Sequence, residues 1–296
     1  MEGQSDSRTV RAYAKINLGL RIIERREDGY HNLLTVFHRI ALYDEIVLRR
    51  GGEIEVESDD PALPGGESNL CSKAASALRR ATGYGGGMCC TLRKKIPMGG
   101  GLGGGSTDAA AVLAELPLLW GTPVDEALLQ SLALQLGSDV PYFLGNGSAV
   151  AEGRGAELTY FVLDVPYAIL VCHPNIHVST SWAYSRITPR PRPALDMREL
   201  LTAGMQDPRL LREELMNDFE DPVFAAHAAI RAVKEHMMHE GALFALMSGS
   251  GAAVFGLFST VEEAAAAGRH FDRQGYRTFI TPPHFQPVLD ARTPTA

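Results

Sequence analysis

The stretch Pro97–Ala110, PMGGGLGGGSTDAA, constrains this chain more than any other. Every residue from Gly99 to Gly105 is glycine except Leu102, and an alanine-rich helix former follows at once. In ordered structure each glycine costs roughly 0.5–1 kcal/mol relative to alanine. So much bare backbone implies a close approach that side chains would block. An exposed linker does not fit, because linkers are not followed by STDAAAVL, with a capping hydroxyl and a helical period.

Three phosphate-holding designs place glycines before a helix. A Walker A loop needs G-x-x-x-x-G-K-[ST]; Gly100 and Gly105 have the spacing, but Ser106 follows directly and the lysine is missing. A dinucleotide fingerprint can be traced through Gly99, Gly101 and Gly104, yet Pro97 separates it from the preceding strand and no acid-ended second strand follows. The third design needs no lysine: consecutive backbone N–H groups converge on an anion, and a helix beginning near Ser106 points its positive end at the same place. The hydroxyls of Ser106 and Thr107 stand where a Mg²⁺ bridging phosphates would sit.

The rest of the chain supplies strands and helices in alternation. Strands are expected at Thr9–Ile23, Glu53–Glu57, Gly87–Ile96, Ser148–Glu152, Tyr167–Cys172, Ala242–Met247, Ala252–Phe258 and Tyr276–Ile280. Helices are expected at Asn69–Ala81, Ser106–Leu116 with Pro117 near its end, Val124–Leu136 and Val261–Gln274, with two or three more between Leu195 and His239. Asp139–Leu144 reads as a short Pro-containing segment. At 296 residues the chain suits two mixed α/β domains, 1–162 and 163–296.

Composition narrows the class. A net charge of −7 argues against broad nucleic-acid binding but leaves room for a locally positive anion site. No apolar run approaches the roughly 20 residues that span a bilayer. The first residues, MEGQSDSRTVRAYAK, lack the apolar core of a signal peptide and read as a short frayed arm, so a cytoplasmic location is expected. Cys71, Cys89, Cys90 and Cys172 form no C-x-x-C pair and read as buried cytosolic thiols, Cys89 and Cys90 pointing to opposite faces of a strand. His173 and His177 have ligand spacing for a helix, but Pro174 lies between them and spoils that geometry. The RPRP run at Arg190–Pro193 reads as an exposed loop whose charge could attract an anionic substrate.

KKIPMGGGLGGGSTDAA resembles the ATP loop of the GHMP kinases, small-molecule kinases named for galactose, homoserine, mevalonate and phosphomevalonate. Three further blocks extend the likeness: AYAKINLGLRIIERREDGYHNL (Ala12–Leu33), LGSDVPYFLGNGSAVAEGRGAEL (Leu136–Leu158) and MSGSGAAVFGLF (Met247–Phe258). AKINLxL with DGYH and SDVPYF resembles the branch of that family acting on a cytidyl diphosphate alcohol. The resemblance implies an α+β architecture with a ribosomal-protein-S5-like N-terminal domain, a ferredoxin-like C-terminal α/β sandwich, and an active site in the cleft between them.

It also implies roles. Pro97, Met98, Gly99, Gly100, Gly101, Leu102, Gly103, Gly104, Gly105, Ser106 and Thr107 would hold ATP, with Ser106 toward Mg²⁺. Asp139 would be the catalytic base and Lys15 its cationic partner. By themselves, Asp139 reads as a turn aspartate and Lys15 equally well as a solvent-facing residue of an edge strand. Asn17, on the same strand face as Lys15, would meet the substrate near the reacting hydroxyl. Tyr30 and His31 would hold the cytosine ring, as would Tyr184, with Trp182 its nearest rival. Gly249 and Ser250, with Gly251, would close the cleft beside the substrate and the phosphates, the less favoured alternative being a purely structural turn. Tyr13, Gly100 and Thr107 depart from the family's commoner proline, alanine and serine, each keeping the needed backbone or hydroxyl. Oligomeric state stays open between a monomer and a weak homodimer.

Overall fold

The computed structural model describes residues 6–63, 65–189 and 192–288. Its backbone begins with two long antiparallel strands, β1 (Ser7–Arg25) and β2 (His31–Gly51), paired from Ser7 opposite Arg49 to Arg25 opposite His31. They are joined by a tight turn in which Gly29 has φ 84° and the Asp28 carboxylate accepts the Tyr30 N–H at 3.1 Å. Then come β3 (Ile54–Ser58), α1 (Leu70–Thr82), β4 (Gly87–Arg93), α2 (Gly104–Trp120), α3 (Glu126–Leu136), α4 (Val140–Leu144), β5 (Ser148–Glu152) and β6 (Glu157–Phe161). The six strands form one sheet in the order β3-β4-β2-β5-β6, with β1 on the other edge of β2.

A second, four-stranded sheet uses β7 (Ala168–His173), β8 (Phe244–Met247), β9 (Val254–Phe258) and β10 (Arg277–Thr281). Its order is β10-β7-β9-β8 with every pair antiparallel, the split βαβ arrangement. Between β7 and β8 run α5 (Thr180–Ser185), α6 (Met197–Gly204), α7 (Pro208–Glu214), α8 (Glu220–Ala226) and α9 (Ala228–His239); α10 (Val261–Arg273) joins β9 to β10.

Three apolar clusters fix how these layers stack. One lies between the first sheet and α1–α4, where Ile46, Leu48 and Met88 meet Leu78, Val112 and Leu116. A second joins the other face of β1 and β2 to the second sheet: Ile16, Leu18, Val36 and Ile40 pack with Ile169, Val171 and Phe255. The third lies between that sheet and α9 and α10, through Val233, Met237 and Phe271. The middle of β1 and β2 is therefore buried on both faces.

That double burial hides β2 from a periodicity reading. Residues Thr35–Ile40 are all buried, so the strand lacks the polar alternation of a one-sided sheet, and it went unexpected although it is the sheet's centre. Strand β6 and helix α5 were also unexpected, and four helices rather than two or three lie between Leu195 and His239. The frayed-arm reading fails from Ser7 onward, since those residues pair with β2; residues 1–5 lie outside the described residues. Helix α2 begins two residues before Ser106 and runs past Pro117 to Trp120. Burial of its last turn, and a bond from Trp120 Nε1 to the Gly87 carbonyl at 3.0 Å, outweigh the proline's disruption. The Thr122 N–H then closes the turn on the Pro117 carbonyl at 3.0 Å.

Cys71, Cys90 and Cys172 are buried as unpaired thiols, but Cys89, on the opposite face of β4 from Cys90, is exposed, which corrects the expectation that all four are buried. Arg190 and Pro191 lie outside the described residues. Arg192 is already paired with Asp218 at 2.6 Å, which leaves it a poor lure for a substrate anion. Among the described residues no helix is long and apolar enough to cross a membrane.

Candidate active site

The glycine loop leads into α2 beside a cleft of about 1130 Å³. Gly99, Gly101 and Gly103 have φ of 65°, 70° and 72°, so the left-handed conformation recurs at every second residue. That alternation turns successive N–H groups toward one side. Each carbonyl is bound in the opposite direction. Gly99 accepts from the Ala252 N–H and Gly100 from that of Ala253, both at 3.2 Å, and Leu102 from that of Lys15 at 3.0 Å. Gly101 accepts from the Ser248 hydroxyl at 2.9 Å, and Gly103 from the Thr107 N–H at 2.9 Å. Among the described residues, no N–H from Met98 to Gly103 donates to a protein acceptor. The loop thus presents bare donors in front of a 17-residue helix whose positive end faces the same cleft.

The glycines are required by packing as well as by φ. A Cβ on Gly101 would lie 2.1 Å from the Ser248 carbonyl oxygen, and one on Gly103 would lie 2.8 Å from the Phe143 ring. His173 and His177 back the same loop: a Cβ on Gly99 would lie 2.3 Å from His177 Nδ1, and one on Gly100 3.0 Å from His173 Cδ2. Burial, together with Arg277 and His177, holds the His173 imidazole below its usual pKa and so neutral, and its Nδ1 accepts the Asn175 N–H at 3.2 Å.

Residues Pro97 to Met98, the glycines and Ser106 all line the cleft. Thr107 does not. Its side chain is buried on the other side of α2, beside Val10, Arg39 and Ala110, away from the lining of this cleft. A helix advances about 100° per residue, so neighbouring hydroxyls at its start cannot share one face.

Deeper in the cleft, Lys15 is 3% exposed, its Nζ 3.3 Å from Asp139 Oδ2 and 2.6 Å from Asn17 Oδ1. The ammonium also lies 4.8 Å from the centre of the Phe37 ring. Asn17 is held by a bond from its Nδ2 to Thr35 Oγ1 at 2.9 Å. β1 carries register shifts on either side of Lys15 and Asn17, with Gly19 at φ 83°. Bulges of this kind re-aim side chains beside active sites. Asp139 immediately precedes α4 but makes no capping bond with its side chain, which leaves the carboxylate free toward the cleft.

The cleft's outer wall is aromatic. His31 stacks on Tyr184 with ring centres 5.3 Å apart, and burial and Arg25 hold its imidazole below the usual pKa. Burial, with Asp139 adding to it, pushes the Tyr184 hydroxyl up to about 12, so it stays a donor. Exposed Tyr30 carries the Arg154 guanidinium 3.6 Å from its ring centre. Trp182 turns away and meets His227 edge-on at 5.8 Å, so it is Tyr184 that the structure brings to His31. Gly249 and Ser250 line the cleft. Asn217 Nδ2 fixes the Gly249 carbonyl at 2.8 Å, and Ser250 Oγ lies 3.0 Å from Thr180 Oγ1.

Sequence comparison matches the descriptions "GHMP kinases N terminal domain" to residues 69–147 and "GHMP kinases C terminal" to residues 197–277. A 4-diphosphocytidyl-2-C-methyl-D-erythritol kinase of Chlorobium limicola is 44% identical over 283 residues, covering 95% of this chain and 98% of that protein. The chain belongs to the GHMP kinase family. An enzyme of the same name from Chlorobium chlorochromatii is 46% identical over 96% of this chain and 99% of its own. Among solved structures, a 4-(cytidine 5'-diphospho)-2C-methyl-D-erythritol kinase superposes with a TM-score of 0.79 at 36% identity, covering 94% of this chain and 100% of that one. Homoserine kinase from Cytophaga hutchinsonii shares the fold, with a TM-score of 0.72 at 23% identity over 97% of this chain and 98% of its own.

Charged groups beyond those expected from the sequence also pack beneath the loop of this GHMP kinase. Beneath the loop–helix joint, Lys94 Nζ is paired with Asp44 and, at 2.7 Å, with Asp108. Burial, reinforced by Asp44, pushes the Asp108 carboxyl up to about 7 against the pull of Lys94. Asp44 also accepts the N–H groups of Lys95 at 2.5 Å and Ile96 at 2.9 Å, which fixes the approach to the loop. Lys94 and Asp108 both lie inside the quoted KKIPMGGGLGGGSTDAA block, so charged residues flanking the glycines were the available signal. Asp44, fifty residues upstream of Lys94, offered none.

Proposed function

We propose that this GHMP kinase transfers the γ-phosphoryl group of MgATP to the 2-hydroxyl of 4-diphosphocytidyl-2-C-methyl-D-erythritol, a step of non-mevalonate isoprenoid precursor biosynthesis. The observation that carries this reading is the convergence on one cleft of bare loop amides, the Lys15–Asp139–Asn17 cluster and the His31–Tyr184 stack. Two whole-length relatives at 44% and 46% identity bear the name of that kinase. The domain division falls at Val162, between the two sheets.

In this reading the loop amides and the α2 N-terminus hold the triphosphate and balance its charge. Ser106, whose hydroxyl lies at the start of α2 in the cleft, is an oxygen donor suited to Mg²⁺. That ion, when bound, neutralises charge on the phosphates. Asp139 takes the proton of the acceptor hydroxyl, as befits a carboxylate left without a capping bond. Lys15 pairs with Asp139 and orients it, and Asn17 fixes the alcohol. His31, neutral, and Tyr30 and Tyr184 receive the cytosine ring through stacking and hydrogen bonding. Gly249 and Ser250 close the cleft from the second domain.

The test is ADP release at fixed MgATP with a panel of acceptors. Turnover with the cytidyl alcohol, and not with mevalonate or homoserine, is expected. The reverse pattern would make the chain a kinase of another small alcohol. Tight cytidyl binding with no turnover would make it a ligand sensor.

A further inference from the structure

Lys15 and Arg39 face one another in the β1–β2 ladder, and their side chains grip opposite ends of α4. Lys15 Nζ lies 3.3 Å from Asp139, the residue just before the helix. Arg39 takes the other end: its Nη2 donates to the carbonyls of Phe143 and Gly145, both at 2.9 Å. Its guanidinium carbon lies 5.2 and 5.8 Å from the ring centres of Tyr142 and Phe143.

This is a costly place for a cation. Arg39 is 5% exposed, forms no ion pair among the described residues, and has its Nη1 buried without a partner. A buried charge without a carboxylate is strongly disfavoured, and an apolar side chain would fill the same space more cheaply. The helix it serves is a single turn, with Pro141 near its start and no side-chain cap. One turn has almost no stability of its own, so its placement comes from outside. The carbonyls that end such a turn are what a forked donor satisfies.

We propose that Arg39 is a positioning residue for phosphoryl transfer: by holding the Phe143 and Gly145 carbonyls it fixes α4, and so the direction in which Asp139 meets Lys15 and the acceptor hydroxyl. This rests on Asp139 being the base. Misplacing a catalytic group by about 1 Å can cost ~10²-fold in rate. Lysine, with a shorter reach and a compact ammonium, lacks the planar guanidinium that lies over the Tyr142 and Phe143 rings while its Nη2 meets both carbonyls.

The test is steady-state kinetics of Arg39→Lys, Arg39→Gln and Arg39→Ala, each with Asp139 intact and with Asp139→Asn, well below the unfolding temperature. With Asp139 intact, Arg39→Gln and Arg39→Ala lower kcat by about ten- to a hundredfold while KM for ATP and acceptor stays within about twofold, and Arg39→Lys falls between. Added methylguanidinium partly restores Arg39→Ala. In the Asp139→Asn background the same changes move the residual rate less than about twofold, because there is no base left to aim. Wild-type kcat in Arg39→Gln, or equal losses in both backgrounds, would overturn the proposal. If the alanine variant does not fold, the lysine and glutamine variants decide by the same comparison. Absence of turnover in the wild-type protein, or full turnover in Asp139→Asn alone, would count against the proposed function, whatever Arg39 does.

Discussion

The hydroxyl of Ser248 donates to the carbonyl of Gly101 at 2.9 Å and accepts the N–H of Asn17 at 3.1 Å. Ser248 follows β8 in the C-terminal half, Gly101 lies in the glycine loop of the N-terminal half, and Asn17 on β1 lies beside Lys15. One fully buried hydroxyl thus ties the loop to the strand that carries the cation at the candidate base.

Ser248→Ala leaves a buried carbonyl and a buried N–H without partners. Each such group costs about 1–3 kcal/mol, so a loss of a few kcal/mol is expected in urea unfolding. Because the Gly101 carbonyl is what turns its peptide, KM for ATP should rise more than KM for the acceptor. Equal KM changes would argue that the bond is structural only.

Gly101→Ala is a harsher change at the same contact. The new Cβ would stand 2.1 Å from the Ser248 carbonyl oxygen, at a φ of 70° that itself costs an L-residue roughly 1–2 kcal/mol. The domain contact or the loop has to move. ATP affinity measured by titration should drop at least about tenfold; unchanged affinity would show that the loop amides need not converge as they do.

Asp139→Asn keeps size and removes the base. Turnover should fall by ~10²–10⁴, the usual worth of a positioned general base, with ATP affinity nearly unchanged. Turnover close to that of the parent protein would take Asp139 out of the mechanism. Lys15 Nζ, 3.3 Å away, would then serve the phosphates alone.

What could be read ahead of the structure divides along local and non-local lines. The glycine loop, the helix after it and the short strands carried their own signals: turn chemistry, capping hydroxyls and period. Strand β2 did not, because two cores bury both its faces. Thr107 and Ser106 face different ways for a local reason, since adjacent helical residues point about 100° apart. Asp44 and Arg39 were invisible for a non-local one: each acts on residues fifty or more positions distant, at Lys94 and at Phe143. The HPNIH histidines showed their spacing, but only the fold reveals that they support the back of Gly99 and Gly100.

Buried His38 sets an acid limit on stability. Burial, with Arg39 adding to it, lowers its pKa from 6.5 to about 4, and its Nδ1 is 2.8 Å from Ser148 Oγ. Between those two values the unfolded chain binds the proton more readily than the folded one. The contribution is therefore complete above pH 6.5 and is lost as pH falls toward 4, to the extent of roughly 3 kcal/mol. His173, also held low, acts in the same direction. His38→Gln should flatten unfolding free energy against pH across that window; an unchanged slope would assign the acid sensitivity to other groups.

The aromatic wall gives the most selective prediction. Tyr184 stacks with His31 and meets Phe219 edge-on at 4.9 Å, whereas Trp182 is turned toward His227. A nucleobase stacked on an aromatic ring gains ~1–3 kcal/mol, which corresponds to roughly 5- to 150-fold in affinity. Tyr184→Leu should raise KM for a cytidyl acceptor within that range and leave KM for ATP unchanged, because the glycine loop proposed for ATP and the His31–Tyr184 stack are separate parts of the cleft lining. Trp182→Leu should leave both alone. If the tryptophan variant were the one to lose the acceptor, the base would sit on the other side of α5, and the stack on His31 would belong to the protein's own packing.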